Sequence, residues 1–141
     1  MAVNGDTGQG WSFTFGTQSI TLLVTQINCG KWSIATLDVS TLATTDFMEK
    51  LASDLKDAGT FTVDFLWKTS TTAPVVGTTA ETLTITAAQM TGDTAAATLI
   101  GTGYVQDITW PTAALGQVNK GQITCVWNGD TGPTYTKATV A

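Results

Sequence analysis

The sequence contains no histidine, and all six of its basic residues are lysines, so arginine is missing as well. Without histidine there is no Ser-His-Asp or Cys-His catalysis and no imidazole to hold a metal. Without arginine, and with a net charge of −5, the chain is a poor candidate for gripping nucleic acid, because phosphate recognition rests on Arg and Lys. Cysteine is scarce too. Cys29 and Cys125 are too few and too far apart for a zinc cluster or a disulfide framework, and they are expected as free thiols, with a single bridge as the alternative. No apolar run reaches membrane-spanning length, and MAVNGDTGQGW lacks the basic and apolar regions of a signal peptide. The expectation is a protein made in a cytoplasm, with no membrane partner. Charged residues are only 12% of the chain against 43% hydrophobic. Threonine fills the gap at roughly one residue in five, far above ordinary usage. Being β-branched and tolerant of water, it favours an all-β fold. At 141 residues, the chain is the size of one domain (1–141) able to bury a substantial core.

The stretch Thr36–Lys68 carries the clearest local signals. Asp46 and Glu49 have capping-box spacing, and Phe47, Leu51 and Leu55 recur every four residues, with Met48 and Ala52 widening the stripe. This predicts a short amphipathic α-helix over about 46–58, closed by Gly59 in a left-handed position. The period then changes to two: Phe61, Val63, Phe65 and Trp67 alternate with Thr62, Asp64, Leu66 and Lys68, a half-buried strand.

Around it, residues 1–10 read as a mobile arm or turn, and Trp11, Phe13 and Phe15 as a first strand. Ser19–Ile27 follows as a second strand, with its phase slipping into a turn or bulge at Asn28–Gly30. Trp32–Val39 is extended but ambiguous in phase. Pro74 and Gly77 mark a loop over 69–79, and Leu83, Ile85 and Ala87 alternate in another strand. Thr94–Thr109 is a longer strand expected to bend at Gly101 and Gly103, and Ile123, Cys125 and Trp127 form the last inward set. Residues 128–141 read as a polar tail. Together these predict a mainly β fold: a β-sandwich or flattened barrel of about seven strands plus the helix.

Chemistry is harder to find. Five tryptophans could make a sugar-stacking platform, but Trp67 and Trp127 fall on faces that their strands bury. NGDTG occurs at Asn4–Gly8 and Asn128–Gly132, yet neither copy has the spaced carboxylates of a calcium cage. Gly101-Thr102-Gly103 lacks the third glycine and the βαβ unit of a dinucleotide fingerprint. No catalytic residue, metal site or cofactor is expected.

The order of features carries more. Leu37-Asp38-Val39-Ser40-Thr41-Leu42 is followed by a Phe-led amphipathic turn, then Leu55-Lys56-Asp57-Ala58-Gly59-Thr60, then an alternating strand. Later come Gly103-Tyr104-Val105-Gln106-Asp107-Ile108, Leu115-Gly116 through Ile123-Thr124, and Gly132-Pro133-Thr134-Tyr135-Thr136. This succession resembles the major tail tube proteins of long-tailed (siphovirus-type) bacteriophages across nearly the whole chain. It departs from them in a longer, more amphipathic helix.

The resemblance implies a β-sandwich subunit that forms hexameric rings with itself, stacked into a hollow virion tail and assembled in the host cytoplasm. Its other partners would be tape measure, tail terminator and tail tip proteins, and DNA would pass through the lumen without specific binding. In that reading Phe47, Met48, Leu51 and Leu55 serve subunit assembly, and Asp64 and Asp107 give an acidic lumen. The competing readings are a tail terminator, head–tail connector or capsid decoration protein, and, from another class, a carbohydrate-binding module.

Overall fold

The computed structural model of the chain describes residues 9–77, 79–129 and 132–140. Among these it has eleven strands and no helix. In chain order they are β1 (Ser12–Phe15), β2 (Leu23–Asn28), β3 (Ser33–Asp38), β4 (Lys50–Asp57), β5 (Thr60–Leu66) and β6 (Glu81–Thr86). β7 (Asp93–Ala95), β8 (Thr98–Thr109), β9 (Lys120–Asn128), β10 (Thr134–Thr136) and β11 (Thr139–Val140) complete the set. Seven of them form one antiparallel sheet in the order β1-β6-β8-β9-β5-β2, with β10 beside the start of β8. β3 pairs only with β4, and β7 only with β11.

The large sheet is rolled on itself. Phe13 on β1 and Phe61 on β5 stand four steps apart along it, which would separate them by roughly 19 Å in a flat sheet. Their ring centroids are 5.5 Å apart. The roll stays open between its two end strands, β1 and β2, so the body is a flattened, unclosed barrel. Period two decides what it encloses: Phe61, Val63 and Phe65, Leu83 and Ile85, Val105, and Ile123, Cys125 and Trp127 all face inward and are buried. The inward series expected on β5, β6 and β9 are therefore the core, except that Trp67 and Ala87 lie past the strand ends and are only half-buried.

β8 runs unbroken past Gly101 and Gly103, and the strand expected over 94–109 is divided at Ala96 and Ala97 into β7 and β8. The two glycines are sites of close approach. A Cβ on Gly101 would meet Pro133 and Trp127, and one on Gly103 would collide with the Val126 carbonyl and Leu83. Both cysteines are free. Burial, helped by the charge of Glu81, pushes the Cys125 thiol up to about 12, and burial raises Cys29 as well. Glu81 itself opens the inward series of β6 and is buried, with its Oε1 lacking a hydrogen-bond partner.

The predicted helix is a strand. Residues 50–57 form β4 and lie antiparallel to β3, with Leu37 opposite Leu51 and Asp38 opposite Lys50. An isolated helix of about 13 residues is marginal in water unless its apolar stripe is covered. Here nothing covers that stripe, whereas the Thr- and Val-bearing 36–39 segment offers a complete hydrogen-bonding partner. Ser53 and Asp54 are also weak helix formers at mid-segment. Gly59 keeps its left-handed backbone, at φ 69°, but it closes the return from β4 into β5 rather than a helix. The stretch expected as a polar tail supplies β10 and β11. Of the expected N-terminal arm only Gln9 and Gly10, in a turn, are described; Asn4–Gly8, and Asp130 and Thr131 of the second NGDTG, lie outside the described residues.

Candidate assembly surface

The β3–β4 hairpin stands away from the body as an arm. Two glycines make its root. Gly30, at φ 74°, accepts no side chain because a Cβ would run into the Thr60 carbonyl, and its N–H donates to Asn28 Oδ1 at 3.0 Å. Gly59 donates to Asp57 Oδ1 at 2.8 Å, and its carbonyl accepts from the Trp127 N–H at 3.3 Å. Along the arm the register shifts between Ile34 and Thr36. One residue of β3, Ala35, there faces three of β4, residues 53–55, which places Leu55 in a bulge.

The tip hydrogen-bonds part of its backbone within itself. Val39 N–H donates to the Glu49 carbonyl at 3.0 Å, Glu49 N–H to Ser40 Oγ at 2.7 Å, and Thr44 N–H to the Thr41 carbonyl at 3.0 Å. Ser40 N–H donates to Asp38 Oδ1 at 2.9 Å, and this bond holds the Asp38 carboxyl below its usual range. The apolar side chains of the arm find little cover among the described residues. Phe47 is 87% exposed, Met48 63%, Leu51 56% and Leu55 81%. The four residues assigned to assembly thus share one protruding element, reached by a strand rather than a helix. Trp32, Ile34, Leu37, Val39 and Leu42 join them, so nine of the eighteen exposed large hydrophobics among the described residues lie in 32–55. This concentration of exposed apolar side chains makes the arm the candidate interaction surface.

Asp64 and Asp107 sit elsewhere, on the outward face of the rolled sheet. The pairing rows Asp64–Gln122–Thr109 and Thr62–Thr124–Asp107 place both carboxylates on the same face, flanking β9. Asp64 Oδ1 accepts from Gln122 Nε2 at 2.7 Å, in a cleft that Lys120 also lines. The face carries charge of both signs. Trp127 belongs to the core, as the alternation required, whereas Trp32 and Trp110 are more than half exposed. The exposure of Trp32 had no signal in the ambiguous phase of 32–39.

No protein-family model matches the chain, and no curated protein matches it at the level of sequence. Its fold does match solved structures. A chain of the extracellular contractile injection system described as PVC sheath/tube terminator in extended state superposes with a TM-score of 0.71 at 11% identity, covering 96% of this chain and 99% of that one. A chain of the anti-feeding prophage cap (AFP tube terminating cap) gives 0.71 at 14% identity, covering 98% and 95%. A chain of the six-fold symmetrised anti-feeding prophage baseplate gives 0.67 at 7% identity, covering 97% and 98%. At these identities the likeness is one of fold.

Proposed function

We propose that the chain is a structural subunit of a phage-tail-like tube, seated at an end of that tube as a terminator or cap. The observation that carries this reading is the likeness to chains of two tube-terminating assemblies, which extends over 95–99% of each chain compared. The exposed arm agrees with it, since a subunit of an assembly leaves uncovered the apolar surface that its neighbours cover. Its partners are further copies of itself and other tail proteins, and its place is the tail of a virion or virion-like particle.

The repeating tube wall is the second reading. It is favoured by the succession from Asp38-Val39-Ser40 to the Gly132–Thr136 tail. In that reading the β5–β9–β8 outer face turns to the lumen. Asp64 and Asp107 then add negative potential that opposes DNA adhesion, offset in part by Lys120.

Negative-stain imaging of the purified chain separates the two. Discrete rings are the expected outcome. Long hollow filaments replace the tube-end reading by the tube-wall one, and a chain that stays monomeric at every concentration removes both. If filaments form, Asp64→Lys should increase salt-sensitive DNA retention; unchanged retention takes Asp64 away from the lumen.

A further inference from the structure

The arm has two ends of different character. At the tip, Leu42, Phe47 and Met48 point into solvent beside Asp46 and Glu49, so this end is apolar and acidic. At the root, the arm and the body enclose a cleft of about 480 Å³ lined by Trp32, Leu55, Lys56, Trp127 and Pro133, with Asp57 as the one carboxylate among the described lining residues. The Asp57 carboxylate accepts from the Gly59 N–H and keeps its negative charge, while Lys56 and the adjoining Lys31 are exposed and outnumber it. Among the described residues the root is therefore apolar, with two lysines against one carboxylate. The apolar character of the two ends matches, and their charges are opposite.

A chain cannot satisfy this complementarity by itself. The six residues of β3 hold tip and root roughly 20 Å apart at about 3.3 Å per residue. We infer that the tip of one copy seats in the root cleft of the next, with Phe47 and Met48 against Trp32 and Leu55, and Asp46 and Glu49 facing Lys31 and Lys56. Tip and root are different patches, so the contact is heterologous. It does not close as a two-fold pair, and it builds a ring where the rotation per copy closes. The inference rests on the reading of the chain as a self-assembling subunit and adds which surfaces meet.

Two variants of the full chain test it by size-exclusion with light scattering. The tip variant carries Phe47→Ser and Met48→Ser, and the root variant Trp32→Ser and Leu55→Ser. All four side chains are exposed in the single chain, so unchanged circular dichroism and urea midpoint are expected. Each variant alone should need at least about tenfold more protein to assemble than the unaltered chain. Mixed in equal amounts, the intact tip of one should find the intact root of the other and stop at a complex of two. Reversing Asp46 and Glu49 to Lys, or Lys31 and Lys56 to Glu, should weaken assembly, and both reversals in one chain should restore it. A mixture that stays monomeric, or a tip variant that assembles at the concentration of the unaltered chain, overturns the inference while leaving the tail-subunit reading intact. An unaltered chain that never assembles overturns both.

Discussion

β4 and β5 are neighbours in the chain, separated only by Ala58 and Gly59, and both present large apolar side chains. In β5, Phe61, Val63 and Phe65 vanish into the rolled sheet; in β4, Leu51 and Leu55 stand in solvent. Residue type does not distinguish them. β5 lies between β9 and β2 in a sheet whose far end folds back over it, whereas β4 has a single partner and no second layer. A two-stranded ribbon has two faces and nothing to press either against. The body therefore draws its stability from within the chain, and the arm leaves its apolar side chains uncovered among the described residues.

The largest test of that difference removes a body side chain. Phe65→Ala should cost about 3–5 kcal/mol in urea unfolding, because the site is closed on all sides and cannot collapse fully. A loss below about 1 kcal/mol would mean that the roll is looser than described. Gly103→Ala comes next, at about 1–3 kcal/mol, since its methyl group meets the Val126 carbonyl across the β8–β9 pair. A neutral result would show that the two strands can part there.

On the arm the same measurement should hardly move. Leu51→Asp is expected to stay within about 0.5 kcal/mol of the unaltered chain in the monomer while reducing assembly. A loss above about 2 kcal/mol would place Leu51 against a surface and restore a packed role to this segment. The smallest effect concerns the tip turn. The bond from Ser40 N–H favours ionised Asp38, so its folded pKa lies below the unfolded one. The turn gains this support above the unfolded pKa and loses it as pH falls through the folded one. The Ser40 amide resonance should report an Asp38 titration below the ordinary aspartate range, and a midpoint at or above that range would break the assignment.

The strands that face the core were legible because alternation is local: Phe61–Phe65, Leu83–Ile85 and Ile123–Trp127 state which face is apolar without reference to the rest of the chain. The absence of histidine and arginine likewise narrowed the chemistry before any fold was known. The state of 46–58 was not legible in that way. Phe47, Leu51 and Leu55 fit a helical stripe, and the same residues fit a strand with a bulge, so the choice fell to pairing with β3 across the tip turn. Gly101 and Gly103 read as a bend, and the close approach of Pro133, Trp127 and Val126 to them had no signal in the sequence. Sequence alone determined the inward side of each core strand, because neighbouring residues in a strand point to opposite faces whatever lies beyond. Only the tertiary structure decided which apolar faces found cover, because cover comes from residues far away in the chain, and for the arm this chain supplies none among the described residues.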